Sequence, residues 1–336
     1  MGPGNKCRDD ACVDVEVGCI CLHNNTNAQT RALTPRHQTQ SKDIKMHTIG
    51  FVGLGAMGAA MAQQLVSKQF KVIGFDLNTA AVETLATNGG HAATSAAEAA
   101  SGADALIIMV VNADQAEAVL FDGGALDALS PGAPVIVCST CAPERAEAMA
   151  ERCQAAGHPF VDAPVSGGMV GAEAGTLTIM AAAPKPTFDA TEGVLRAMGS
   201  NTYFIGEKVG QGSAMKTVNQ LMAGVHIAVA AEAMAFAERA GIEPALALEI
   251  LSGSAASSWM LQNRGPEMVE QTGKVTSAVD IFVKDLGIVL DAGRSMRMGL
   301  PLAAAAHQNF LNASGSGHGK EDDSQVVKVY RKLKEG

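Results

Sequence analysis

Between residues 46 and 209, short apolar runs alternate with stretches of helical period. The runs are HTIGFV (47–52), KVIGF (71–75), DALIIMVV (104–111), 134–138, 159–161, 176–182 and 202–205. Helix-period stretches follow the first run to about Lys68 and recur over 114–121, 143–156 and 187–198. Runs this apolar predict strands of a parallel sheet covered on both faces. Residues 210–241, GQGSAMKTVNQLMAGVHIAVAAEAMAFAERAG, read as one long helix with no proline inside and Gly241 at its end. Apolar residues fill most of its positions, which predicts burial nearly all round. Beyond Gly241 helical period continues over 244–252, 258–270, 277–298, 301–314 and 323–334. The pattern predicts an α/β chain with a mostly parallel sheet domain over 46–209, followed by an all-α domain over 210–336.

Chemistry enters at the first strand. Gly53-Leu54-Gly55-Ala56-Met57-Gly58 follows HTIGFV and opens a helix, and the next strand ends at Asp76. A lone GxGxxG says little. A strand before it, a helix after it and an acid at the end of the next strand make it a dinucleotide fingerprint, and the sheet domain Rossmann-type. Gly53 permits the tight turn, Gly55 lets the backbone approach a pyrophosphate, and Gly58 lets helix and strand pack closely. The helix N-terminus offers free N–H groups to the phosphates. Asp76 suits the ribose hydroxyls and repels a 2′-phosphate, with no cation at Leu77 or Asn78 to relieve it. NAD is therefore the expected cofactor. Thr140 lies at a strand C-terminal end, where ligands of open α/β sheets bind, and is a candidate contact on the nicotinamide side. Capping of the next helix is its structural alternative.

Three polar side chains interrupt the long helix near its start: Lys216, Asn219 and Gln220. Spacings of three and four put them on one face. A lysine there is costly to bury unless something uses it; the alternative is a lysine snorkelling from the first turns. Upstream, Ser166-Gly167-Gly168 forms a turn whose N–H groups and hydroxyl suit a carboxylate. Cys138 and Cys141 form a C-x-x-C that reads as core rather than redox site.

Net charge is −9, which argues against a nucleic-acid or anionic-membrane partner. No apolar run without charged or polar interruption reaches the roughly 18 residues that span a bilayer. Residues 1–45 lack any period and read as a disordered extension, and Cys7, Cys12, Cys19, Cys21 and His23 match no zinc spacing. No metal-ligand cluster is evident in the sheet half. A cytoplasmic protein is expected.

GLGAMG, DAPVSGG and GQGxxxKxxN, in this order, resemble the β-hydroxyacid dehydrogenase family, which includes 3-hydroxyisobutyrate dehydrogenase and tartronate semialdehyde reductase. The resemblance covers residues 46–334. It is greatest to the branch acting on L-threonate, over NQLMAGVHIAVAAEAMAFAERAGI, SSWMLQNR, SAVDIFVKDLGIVLD and GHGKEDDSQVVKV. It implies NAD-dependent oxidation of a small hydroxy acid, with Lys216 as catalytic acid/base. Ser166, Gly167, Gly168 and Asn219 would hold the substrate, and Thr140 and Lys284 would reach the cofactor. Gln220, where many relatives have a second asparagine, implies a longer or more hydroxylated substrate. For Lys284 the alternative is an i,i+4 ion pair with Asp280. Trp259, Asn263 and Arg264 are candidates to line the cleft, and His318 or Lys320 to touch a polyhydroxy substrate. A homodimer or homotetramer is expected. The rivals are a hydroxyisobutyrate or tartronate semialdehyde enzyme and, in another class, a catalytically silent dinucleotide-binding scaffold, which would be expected to lack Lys216.

Overall fold

The computed structural model describes residues 46–332, so the expected extension over 1–45 and its cysteines lie outside the described residues. The sheet half runs β1 (Thr48–Val52), α1 (Ala56–Ser67), β2 (Lys71–Phe75), α2 (Thr79–Thr87), β3 (His91–Ala92), α3 (Ala96–Ala100) and β4 (Ala105–Ile108). It continues with α4 (Ala113–Glu117), α5 (Ala125–Ala128), β5 (Val135–Val137), α6 (Pro143–Ala155), β6 (Phe160–Asp162) and β7 (Val165–Ser166). Then come α7 (Gly168–Ala174), β8 (Thr178–Ala182), α8 (Lys185–Met198) and β9 (Asn201–Gly206). The strand order is β3-β2-β1-β4-β5-β6-β8-β7, with β9 beside β8. Strands β1 to β6 are parallel; β8 runs antiparallel to β6 and β7. The sheet is thus mostly parallel, as the apolar runs predict.

Both faces of the central strands are buried. Ala105 and Ile107 of β4 join the core under α1 and α8, while Leu106 and Ile108 join the core under α3 and α6. The expected strand over 104–111 is shorter. After Met109, whose N–H donates to Val52 O, the chain leaves the sheet, and the Val110 N–H donates to Ser139 Oγ at 3.0 Å.

The helical half holds α9 (Gln211–Arg239), α10 (Pro244–Ser252), α11 (Trp259–Glu270), α12 (Val279–Ser295), α13 (Pro301–Ala313), a 3-10 turn (Asp323–Val327) and α14 (Lys328–Lys332). Helix α9 packs on β6 and β8 at its start and on α11, α12 and α13 further along, so both halves share it. By length and composition it passes for a membrane-crossing helix, yet more than half of its most apolar window is buried in the fold.

The expectation that α9 is buried nearly all round is corrected. Met215, Val218, Met222, Val229 and Phe236 are exposed, Val229 at 55% and Phe236 at 75%. Spacings of three, four and seven put them on one stripe, opposite the core stripe that carries Ile227, Ala231 and Met234. His226, between the two stripes, is half-buried.

The start of α9 is fixed by Asp162, at the end of β6. Its carboxylate is 2% exposed and accepts the N–H groups of Gly210 and Ser213 at 3.0 and 2.8 Å, and the Ser213 hydroxyl at 2.7 Å. Gly212 lies so close that a Cβ there would stand 2.5 Å from both Asp162 O and Met180 O. Asp162→Ala leaves these donors buried without an acceptor. It is expected to cost about 3 kcal/mol, read as a lower denaturant midpoint at unchanged m-value. A loss under about 1 kcal/mol would show that the cap contributes little.

Candidate active site

The glycine-rich turn is built as its spacing predicts. Gly53 has φ +97°, and a Cβ there would meet Met109 O at 2.3 Å; one at Gly58 would meet Gly53 O at 1.9 Å. A Cβ at Gly55 meets nothing within 4 Å. Gly55 caps α1 without any side-chain hydrogen bond, so the first N–H groups of the helix, at Ala56 and Met57, face an open cradle. Leu54 is core, and its N–H donates to Asp76 Oδ2 at 2.6 Å. Asp76 Oδ1 accepts the Asn78 N–H at 2.7 Å. The acid is therefore held against the turn. These residues fit a dinucleotide: an uncapped helix N-terminus for phosphates, and a fixed carboxylate beyond β2.

Across the site, β7 ends in Ser166, and Gly167 and Gly168 follow with φ +125° and +62°. The chain here forms a strand end and then the start of α7. The space a Gly168 Cβ would enter is open. Ser166 Oγ donates to Asn219 Oδ1 at 3.2 Å. Asn219 Nδ2 donates to Gln220 Oε1 at 2.8 Å, and Gln220 Nε2 donates to Asp285 Oδ2. Asp285 Oδ1 stands 2.6 Å from Lys284 Nζ, which also reaches Thr140 O at 3.4 Å. One polar line therefore joins residues from β7, α9, α12 and the end of β5.

Lys216 lies one turn before Gln220 on the same face of α9. It is 6% exposed, and among the described residues its ammonium takes part in no hydrogen bond or ion pair. Burial pushes its ammonium down from the ordinary lysine range to about 8. The Asp285 charge opposes that shift and the Lys284 charge adds to it. The snorkelling alternative does not describe a lysine so buried.

Other expectations are redistributed. Lys284 pairs with Asp285 rather than with Asp280, which accepts the Ser314 hydroxyl. Thr140 is not a helix cap: Ala142 occupies that position of α6, with no side-chain bond. Arg264 is buried in an ion pair with Asp323 at 2.6 Å, and Trp259 is half exposed at the start of α11. His318 bonds Glu321, on a turn against the start of α12. The Gln220 amide accepts from Asn219 at Oε1 and donates one N–H of Nε2 to Asp285, which leaves its second N–H. Cys138 and Cys141 are buried free thiols pushed up to about 12 by desolvation, as core residues should be. Sequence reasoning missed Asp285, although it adjoins Lys284 in VKDL, and missed the capping role of Asp162.

This fold and site define a dinucleotide-dependent oxidoreductase, and known proteins make the class specific. The model of the NAD binding domain of 6-phosphogluconate dehydrogenase matches residues 48–206. That of the NAD-binding domain of NADP-dependent 3-hydroxyisobutyrate dehydrogenase matches 210–330. An L-threonate dehydrogenase of Cupriavidus necator is 46% identical over 283 residues, 84% of this chain and 95% of that protein. A 3-hydroxyisobutyrate dehydrogenase of Pseudomonas aeruginosa is 34% identical, over 85% of this chain and 99% of its own. The crystal structure of a 3-hydroxyisobutyrate dehydrogenase from Salmonella typhimurium matches with a TM-score of 0.81 and 44% identity, over 84% of this chain and 99% of that one. The chain belongs to the β-hydroxyacid dehydrogenase family, among its 3-hydroxyisobutyrate dehydrogenase-like members. It is a hydroxyacid dehydrogenase with an NAD-binding fold.

The second and third glycines of the turn separate binding from folding. Gly55→Val enters open space at φ −65° and is expected to keep the melting temperature while weakening cofactor binding at least about 10-fold. Gly58→Val drives into Gly53 O and is expected to lower stability by about 2 kcal/mol. Calorimetric titration with NAD beside thermal melts checks both; equal losses of stability would contradict the assignment.

Proposed function

We propose that this chain oxidises L-threonate, or a closely related four-carbon sugar acid, with NAD, and that Lys216 takes the hydroxyl proton. The observation that carries the reading is the buried Lys216, pushed down to about 8 on a helix face shared with the polar line that starts at Ser166. The substrate assignment is supported by the likeness to the Cupriavidus necator L-threonate dehydrogenase. Hydroxyisobutyrate is the second reading, because the 44% identical solved relative carries that name. Gly55, Ala56 and Met57 would hold the pyrophosphate of the dinucleotide and Asp76 its ribose hydroxyls, where a 2′-phosphate would meet a like charge. NAD is therefore preferred over NADP.

Ser166 and the N–H groups of Gly167 and Gly168 hold the substrate carboxylate, and the second N–H of Asn219 Nδ2 helps orient it. A bound NAD would supply the acceptor for the hydride that leaves the carbinol carbon. Neutral Lys216 Nζ accepts the hydroxyl proton in that step; in the reverse direction its ammonium returns the proton to the carbonyl oxygen. Lys284 and Thr140, which meet at 3.4 Å, would hold the nicotinamide side of the cofactor. Only the neutral amine works as a base, so oxidation should rise with pH through about 8 and level off above it, and reduction should fall over the same range. NADH formation against L-threonate, D-threonate, D-erythronate, 3-hydroxyisobutyrate and glycerate, with NADP in parallel, tests the assignment. L-threonate with NAD is expected to win. Lys216→Ala should keep NAD binding and lose about 10²-fold or more in turnover. Intact turnover in that variant sinks the mechanism, and a preference for hydroxyisobutyrate replaces only the substrate.

The exposed stripe of α9 supports a homo-oligomer, either dimer or tetramer. Met215, Val218, Met222, Val229 and Phe236 form a continuous apolar seam that a second copy can cover. The paired substitution Val229→Glu with Phe236→Glu should shift the sedimentation coefficient to that of a monomer; an unchanged assembly places the interface elsewhere. Among the described residues all three cysteines, Cys138, Cys141 and Cys153, are free thiols, which suits the reducing cytoplasm.

A further inference from the structure

Helix α1 reaches the substrate side as well as the cofactor side. Its half-buried Gln64 crosses to α7, where Nε2 donates to Glu173 O at 2.7 Å. Glu173 lies in the last turn of α7, and among the described residues no backbone N–H answers its carbonyl. The chain leaves α7 at Gly175 with φ +66°, and a Cβ there would stand 2.9 Å from Gln64 Oε1. Glycine therefore leaves room for the amide against the helix end. At its other end α7 follows directly on Ser166 and Gly167, the turn assigned to the substrate carboxylate.

We propose that Gln64 is a positioning residue for the hydroxy acid: it ties α7 to the cofactor helix α1, and so fixes where the Ser166-Gly167-Gly168 turn holds the acid. The proposal rests on the reading of that turn as the carboxylate site.

The turn has little else to hold it. Gly167 and Gly168, at φ +125° and +62°, carry no side chain that could lock it. Helix α7 is seven residues long, too short to hold its shape by itself, and buries only Gly171 and Ala172. A hydrogen bond at its far end supplies a fixed point. A turn without that point must be ordered each time the acid binds, which appears as weaker binding of the acid alone. Gln64 lies roughly 12 Å along α1 from Ala56, out of reach of the pyrophosphate. Acid and cofactor are then both referred to one rigid helix, which suits a reaction that needs the two partners held to within about 1 Å.

Gln64→Met keeps the length of the side chain and removes the donor, whereas Gln64→Lys keeps a donor. Both are tested in the purified full chain with saturating NAD and the panel of acids that begins with L-threonate. In Gln64→Met, KM for every acid that is turned over should rise by a common factor of at least about 5, the worth of one hydrogen bond, because the carboxylate is common to all. The calorimetric Kd and stoichiometry for NAD should stay at the parent values. Gln64→Lys should remain within about 2-fold of the parent KM. A parent KM in Gln64→Met, whatever its melting temperature, overturns the proposal. So does an equal rise in both variants, which would assign the effect to bulk rather than to the bond. Ser166→Ala run beside them separates the failures. If it leaves KM unmoved, the carboxylate reading falls and the inference with it. If it raises KM while Gln64→Met does not, only the present inference falls.

Discussion

The site depends on one buried carboxylate at a seam between sheet and helix. Asp162 ends β6 and collects the first free donors of α9, so the helix starts at a fixed distance and angle from the C-terminal edge of the sheet. Gly212 allows an approach that any side chain would prevent. Every polar residue of the α9 face inherits that placement. Lys216 is just over one turn from Gly212 on the same helix, so a shift in how α9 starts would carry the amine with it. Burial raises the Asp162 carboxyl while the Ser213, Gly210 and Gly212 bonds pull it back down. Those bonds make a buried acid tolerable here, since hydrogen bonds to an ionised group offset much of its lost hydration.

Lys216 shows the opposite balance. It is buried without a partner among the described residues, and the cost of its charge appears as lowered proton affinity. The two nearest charges oppose one another: Asp285 favours the ammonium and Lys284 disfavours it. A bare carboxylate beside a lysine would produce a salt bridge and a permanently protonated amine. Here the carboxylate is shared between Gln220 and Lys284, so desolvation keeps the upper hand. The amine therefore titrates close to the range in which a biological base must work.

Much of this was legible in the sequence because it is local. The GxGxxG turn, its flanking strands and Asp76 lie within one β-α-β unit, and each glycine answers a close approach that the motif itself implies. The long helix and its Lys216, Asn219 and Gln220 face follow from period alone. Short elements were lost. Helices α2, α3 and α5 and strand β3 are Ala-rich and too brief for periodicity to register. Their caps were visible all the same, with Asn78 accepting the Ala80 N–H and Ser95 the Glu98 N–H. Partners distant in sequence were not legible. Nothing at positions 219–220 points to Asp285, and nothing in SSWMLQNR shows that Arg264 is spent on Asp323 rather than on a ligand.

The error about α9 has a different origin. Hydrophobic period identifies an apolar stripe but not what covers it, and α9 carries two. The stripe of Ile227, Ala231 and Met234 meets α11, α12 and α13; that of Met215, Val218, Met222, Val229 and Phe236 meets solvent in the single chain. The chain devotes small alanines to the inner stripe, where helices approach closely, and larger Met, Val and Phe side chains to the outer one. Left exposed, these side chains forgo about 25 cal/mol for each Å², a cost that the proposed second copy would remove. The same helix then carries Lys216, the proposed base, on one face and an exposed apolar stripe on the other, so the proposed base and the proposed assembly surface share one element.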